Sequence, residues 1–408
     1  MQYDFDEIID RQHTNALNTD GFRSYIFHAG PEKKFPFTDE AFIRMWVADM
    51  EFAAAPEIRE AIKRRVDRKI FGYTAVFDDD YYQAFSHWCN TQYGWTFLKN
   101  EMVFSAGVVP ALYELVADLV RDDEKVMITT PAYGHFKYAA EYSRKMEIYS
   151  PLKIEKNHFH IDFEDFEKKA ADPKMKLLIW CNPHNPSGRI WSETELKRVA
   201  AIVEKHGLWI ISDEIHCDLL RQGHTHIPMG KIMPDYHKLI TCMSASKTFN
   251  LAGLMLSTII IRDTALRKLF KARDKNNGSV NSLSLAAHQA AYTEGAPWLE
   301  QLKAYLDGNF LYLQNILYKQ LPACGFTIPE STYLAWIDMR PYLKNIEDIP
   351  AFFAEQAGVL LEGGNPLFVG NADGFIRLNL AMPRSVLAEG VRRIIAAVHT
   401  HACIGLPG

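Results

Sequence analysis

Short apolar runs alternate with amphipathic stretches through the middle of the chain. Runs rich in Val, Ile, Leu and Thr occur at 102–105, 125–129, 145–150, 177–181, 209–213, 239–243 and 258–261. Their shortness and their β-branched content predict strands. Between them, apolar positions recur at helical spacing over 110–120, 133–142, 162–170 and 193–205. Strand–helix alternation of this kind predicts an α/β fold, with a mostly parallel seven-stranded sheet covered by helices on both faces. The pattern then changes. Residues 282–294 and 298–321 read as long helices, followed by a strand at 333–338, a helix at 349–357, a strand at 375–380 and a last helix at 384–399. This second pattern belongs to a smaller α+β unit. The expected division is an N-terminal segment at 1–45 that packs with the small domain or a partner subunit, a large domain at 46–285, and a small C-terminal domain at 286–408.

Composition supports that division. A chain of 408 residues, 48% hydrophobic, exceeds the roughly 250–300 residues at which a single core stops growing. Charged residues make up 23% with both signs interspersed, and the net charge is -5, which argues against a basic nucleic-acid surface. The six cysteines, Cys89, Cys181, Cys217, Cys242, Cys324 and Cys403, form no C-x-x-C pair and read as buried free thiols in a reducing compartment. The opening MQYDFDEIIDR is acidic and lacks the apolar core of a secretory leader. No apolar run reaches the roughly 18 residues of a membrane span. A soluble, cytoplasmic protein without membrane or direct nucleic-acid contact is expected.

Ligands of open parallel sheets bind beyond the carboxyl ends of the strands, so the chemistry is sought after each strand. Ala106-Gly107-Val108-Val109-Pro110 follows the first. It pairs a tight-turn glycine with a helix start whose free N–H groups suit a phosphate, although an ordinary strand–helix turn looks the same. Asn182-Pro183-His184-Asn185-Pro186-Ser187-Gly188 holds both asparagines ahead of prolines. Proline restricts the preceding backbone, which would aim an amide at a ligand or simply stiffen the loop. Asp213 stands where an apolar strand emerges, and a buried carboxylate there needs a cationic partner such as a protonated pyridine nitrogen, unless it is a helix cap or a surface acid. Lys247 lies among the hydroxyls of Ser244, Ser246 and Thr248, where a lysine can lose its proton and act as a nucleophile. A helix start, an asparagine, an aspartate and a lysine at one sheet edge are the partners that pyridoxal 5′-phosphate needs for its phosphate, O3′, ring nitrogen and aldehyde.

Two other groupings carry less. Asp213, His216 and Cys217 with His224 and His226 invite a metal. Strand alternation would send neighbours to opposite faces, no closed set of ligand spacings appears, and His224 and His226 read as solvated loop residues; no metal site is expected. The aromatics Phe71, Tyr73, Tyr81, Tyr82 and Trp88 read as core or subunit interface.

CNPHNPSG, SDEIHCDL and SKTFNLAG, in this order, resemble the pyridoxal-phosphate-dependent fold-type I enzymes of the class I/II aminotransferase family. More narrowly, the chain is similar to the MalY/PatB-type cystathionine β-lyases. The further matching blocks are WVADMEF at 46–52, FGYT at 71–74, GVVPAL at 107–112, PHNPSGR at 183–189, DEIH at 213–216, SKTFNLAGL at 246–254 and RLNLAMPRS at 377–385. The resemblance implies an aspartate aminotransferase-like fold and a homodimer with shared active sites. It implies that Lys247 carries the cofactor as a Schiff base and serves as general base. Asp213 would pair with the ring nitrogen and Asn185 with O3′, while Tyr133 would stack on the ring and assist proton transfer. Val108 and Val109 N–H groups with Ser244 and Ser246 hydroxyls would hold the phosphate, and Tyr73 would reach the phosphate of the other subunit. Arg377 would grip the substrate carboxylate, with Asn185 and Tyr73 nearby.

Two positions depart from the broader aminotransferase pattern. Met255 stands where many relatives carry a phosphate-binding arginine, and His216 stands where many carry a tyrosine near O3′. The implied reaction is α,β-elimination of L-cystathionine or related cysteine S-conjugates to a thiol, pyruvate and ammonia. An aminotransferase would use the same residues through removal of the α-proton, and a protein of this fold with a regulatory binding role would keep the same motifs. The loop at 361–371, LEGGNPLFVGN, is expected to line the mouth near Arg377.

Overall fold

Seven strands form the central sheet of the computed structural model, which describes residues 2–155, 158–273, 279–364 and 367–404, the side chains of 402–404 excepted. They are β1 (Met102–Ser105), β2 (Lys125–Thr130), β3 (Met146–Pro151), β4 (Met175–Cys181), β5 (Trp209–Asp213), β6 (Leu239–Met243) and β7 (Ser257–Ile261), in the spatial order β1-β7-β6-β5-β4-β2-β3. All pairings are parallel except those of β7, which runs antiparallel to both β6 and β1. The strands are apolar without alternation because helices cover both faces. Val126, Ile128, Leu177, Ile179, Ile211, Ile240, Cys242 and Ile259 meet helix residues such as Leu112 and Leu115 on one side. Leu178, Trp180 and Ile210 meet Leu196, Val199 and Val203 on the other. The apolar runs locate every strand. β4 begins earlier than its apolar run because the ladder pairs Lys125 with Met175. The helix Val108–Leu119 starts before Pro110, which sits inside the first turn, where its missing N–H has no intrahelical acceptor to lose.

A second sheet follows, with β8 (Leu334–Asp338), β9 (Glu362–Gly363) and β10 (Phe375–Asn379) in the antiparallel order β8-β10-β9. The helices Ala296–Gln320, Ile349–Ala357 and Arg384–Ile404 pack with it around Phe310, Phe353, Leu378 and Val391. The N-terminal segment joins this side. Phe22, Phe42 and Trp46 cluster with Ala354 and Leu360, and Ile43–Arg44 pairs in parallel with Val359–Leu360. Residue 285 falls inside the helix Ser282–Glu294, which packs on Pro56–Val66 and Asp80–Tyr93 of the large unit.

Among the described residues no helix is long and apolar enough to cross a membrane. The thiols of Cys89, Cys181, Cys217, Cys242 and Cys324 are buried and none is in a disulfide. The side chain of Cys403 lies outside the described residues.

Candidate active site

Sheet register brings the chemistry together. Cys181 pairs with Asp213, and Asp213 with Cys242, so the loops carrying Asn185, Asp213 and Lys247 leave three adjacent strands at the same edge. Ser244 is the extended N-cap of the short helix Ala245–Thr248 that presents Lys247. Its hydroxyl donates to Leu256 O at 2.8 Å and accepts from the Ser246 N–H at 3.1 Å. The Ser244 hydroxyl thus also fixes the turn, beside the Ser246 hydroxyl and the Val108 and Val109 N–H groups expected at the phosphate. Those two N–H groups open the helix Val108–Leu119 and have no intrahelical acceptor.

The Lys247 Nζ donates to Ala48 O at 2.7 Å. Burial, helped by the nearby Arg377 charge and opposed by Asp49 and Asp213, lowers its ammonium to about 8. Asp213 is 7% exposed and, among the described residues, accepts only from the Ile215 N–H, at 3.2 Å. Burial raises its carboxyl to about 7; the Ile215 N–H and Lys247 pull it down and Glu214 adds to the rise. Among the described residues, the buried Asn185 Oδ1 and the buried His216 Nδ1 find no partner. Burial, with Lys247 and Arg377 adding, pushes the His216 imidazole down to about 3, so it is neutral. The peptide bonds before Pro183 and Pro186 are both cis.

Arg377 comes from the other sheet, at the centre of β10. Its Nη2 donates to Trp46 O at 3.0 Å and its guanidinium lies 5.2 Å from the Phe368 ring centroid, while Nε has no partner. Tyr133 caps the helix Gly134–Tyr142 and pairs with Phe368 across a short antiparallel ladder. That ladder ties the described part of the 361–371 loop to the segment that follows β2; Asn365 and Pro366 lie outside the described residues. Burial pushes the Tyr133 hydroxyl up, with Tyr25 and Glu362 adding and Arg377 opposing.

One stretch of main chain serves several of these groups. Ala48 O accepts from both Lys247 Nζ and the Tyr333 hydroxyl. Trp46 O holds Arg377, and the Asn379 amide donates to Val47 O and Asp49 O. Asn250, in the left-handed region at φ 58, brackets Met50 by both its N–H and its C=O.

Other expected residues lie elsewhere. Tyr73 is fully exposed on its own chain, and Met255 is 62% exposed and supplies no cation. Tyr81 and Trp88 are core, while Phe71 is exposed. His226 is a correction: it is not solvated but buried, with Nε2 2.7 Å from Glu214 Oε2. The Gly-flanked loop folds back over β5, and the buried Glu214 carboxylate supplies the partner. His224 is exposed, and among the described residues no cluster of His, Cys, Asp or Glu suits a metal. Sequence reasoning missed Tyr25, in a segment without periodicity, and Glu362, a lone acid in a loop noticed for its glycines and proline.

These residues fit the group expected at this edge: among the described residues Asp213 is a buried acid with no salt bridge, Asn185 is a buried side-chain amide whose oxygen accepts no hydrogen bond, and Lys247 is an amine with a lowered ammonium pKa. The aminotransferase class I and II family matches residues 40–394. Cystathionine beta-lyase PatB of Bacillus subtilis is 38% identical over 87% of this chain and 92% of its own. Protein MalY of Escherichia coli is 33% identical over 97% of this chain and 99% of its own. The structure of a pyridoxal-phosphate-bound C-S lyase from Staphylococcus hominis superposes with a TM-score of 0.92 at 46% identity, covering 98% of each chain. Cystalysin from Treponema denticola, whose structure contains pyridoxal 5′-phosphate, gives 0.91 at 32% identity over 98% of this chain and 100% of its own.

Proposed function

The chain belongs to the class I and II aminotransferase family, and from that premise we propose that it is a pyridoxal 5′-phosphate-dependent carbon–sulfur β-lyase. Its substrates are L-cystathionine or related cysteine S-conjugates, cleaved to a thiol, pyruvate and ammonia. The observation that carries the reading is the juxtaposition of the Lys247 amine, its ammonium pKa lowered, with Asp213, a buried carboxyl with no salt bridge among the described residues.

Bound at this edge, pyridoxal phosphate supplies the covalent link to the amino acid and an electron sink for the charge that develops at Cα. Asp213 would hold a proton at the ring nitrogen, Asn185 would donate its amide to O3′, and Tyr133 would pack against the ring. The Val108 and Val109 N–H groups with the Ser244 and Ser246 hydroxyls would receive the phosphate. Arg377, oriented by Trp46 O, offers Nε to the substrate carboxylate, and its planar fork fixes the direction of the Cα–H bond. The Lys247 amine takes the α-proton as general base. The electron pair of that C–H bond becomes the Cα–Cβ double bond, and the thiolate leaves Cβ with the C–S pair. Water then converts the three-carbon remainder to pyruvate and ammonia. The neutral His216 near Lys247 adds no charge that would compete for the proton.

The reading extends to a homodimer in a reducing cytoplasm. Tyr73 is fully exposed beside exposed Phe71 and Phe77, a surface suited to a second copy whose phosphate Tyr73 would reach. Sedimentation of the holoenzyme is expected to give twice the chain mass. Purified protein should show a visible cofactor band and release pyruvate from L-cystathionine, detected by coupled lactate dehydrogenase. A band without pyruvate would refute the lyase reading in favour of transamination. No band after cofactor addition would refute the role of Lys247.

A further inference from the structure

Glu362 has no part in the reaction just described, yet it sits beside the residue that binds the substrate carboxylate. It lies on β9 directly opposite Arg377 of β10. Directly opposed residues project to one face of a sheet with Cβ atoms about 5 Å apart, so the two side chains share a wall of the crevice. Glu362 is 5% exposed. Among the described residues, none pairs with it as a cation or donates it a hydrogen bond, and its oxygens are not among the buried polar atoms sealed away from space. Burial raises its carboxyl to about 7, against the pull of Arg377. Tyr25 and Tyr133, whose hydroxyls both sense its charge, border the same space.

Arg377 does not depend on Glu362 for its orientation, because Trp46 O and the Phe368 ring already hold the guanidinium. A buried carboxylate without a donor, whose cross-strand cation Arg377 is engaged by Trp46 O and serves the substrate carboxylate, is costly to keep unless a ligand supplies further positive charge. Resting on the lyase reading above, we infer that Glu362 recognises an amino group on the leaving half of the substrate, so that the enzyme selects cysteine thioethers whose thiol fragment itself carries an ammonium. Such a substrate gives its α-carboxylate to Arg377 and, folded back along its flexible thioether arm, its far ammonium to Glu362. A plain alkyl arm leaves the carboxylate unmatched.

Two ligand pairs test this with the holoenzyme. S-(3-carboxypropyl)-L-cysteine is L-cystathionine without the distal amino group, and pyruvate release gives kcat/KM for both. Wild type is expected to prefer L-cystathionine by roughly tenfold or more, the worth of one charge-assisted hydrogen bond. Glu362→Gln, which keeps the shape and removes the charge, is expected to lose most of that preference. Calorimetric binding of 2,7-diaminosuberate against 2-aminosuberate, which have no leaving group, reads the same preference without turnover. No preference in wild type, or a Glu362→Gln variant whose kcat/KM falls equally for both thioethers, overturns the assignment. Pyruvate from neither thioether, with the diaminosuberate preference intact, overturns the lyase reading and leaves the subsite standing.

Discussion

Replacing Lys247 by methionine should make the cofactor-free protein more stable. The Lys247 ammonium falls from 10.5 in an unfolded chain to about 8 in the fold. A base with a lowered folded value binds its proton more tightly when unfolded, so its penalty is full below about 8 and fades as pH rises toward 10.5. A drop of this size corresponds to about 3 kcal/mol at pH 7 and about 1 kcal/mol at pH 9.5. Methionine is similar in length and has no charge to desolvate. Losing the 2.7 Å hydrogen bond to Ala48 O offsets about 1 kcal/mol. Lys247→Met is therefore expected to stabilise the cofactor-free protein by about 2 kcal/mol at pH 7, and by well under about 1 kcal/mol at pH 9.5. Urea unfolding of both proteins at the two pH values measures this. A variant no more stable than wild type at pH 7, or a gap that does not narrow on the alkaline side, would refute the claim that the fold holds this amine under strain. The same strain makes the amine reactive at neutral pH, so lost stability and nucleophilicity have one origin.

Asp213→Asn removes the countercharge for the ring nitrogen and should weaken cofactor binding by roughly tenfold or more; equilibrium dialysis measures it, and unchanged affinity would count against that pairing. Arg377→Lys keeps the charge and loses the fork, so kcat/KM should fall by about tenfold to hundredfold, mostly through KM; an unchanged KM would place the substrate carboxylate elsewhere. His226→Ala removes the partner of Glu214 Oε2 and leaves Oε1 held by the Ser212 hydroxyl and the Met229 N–H, at a stability loss of about 1–3 kcal/mol in urea unfolding; a loss confined to a few tenths would mean that water replaces the imidazole.

The central sheet was legible because strands covered on both faces must be apolar throughout, as in LLIWC at 177–181 and LITCM at 239–243. Parallel pairing then forces their loops to one edge, which is why Asn185, Asp213 and Lys247 could be grouped before any coordinates. Arg377 was found only through the RLNLAMPRS resemblance, since nothing in a strand's own pattern says which loop it will face. Glu362 gains its meaning from its cross-strand neighbour, a pairing set by sheet register at a distance along the chain. His226 shows the opposite failure. Its polar, Gly-flanked surroundings read as solvent-exposed, and the partner that buries it is an acid just past the end of β5, twelve residues earlier.

The contacts that aim Lys247 and Arg377 end on main-chain carbonyls of residues 46–48. Carbonyls belong to every residue type, so drift in the side chains of Val47 or Ala48 leaves this wiring in place. A single inserted or deleted residue in the stretch would displace the acceptors of the lysine, the arginine and Asn379 together. The site is thus tolerant of spelling changes here and intolerant of changes in length.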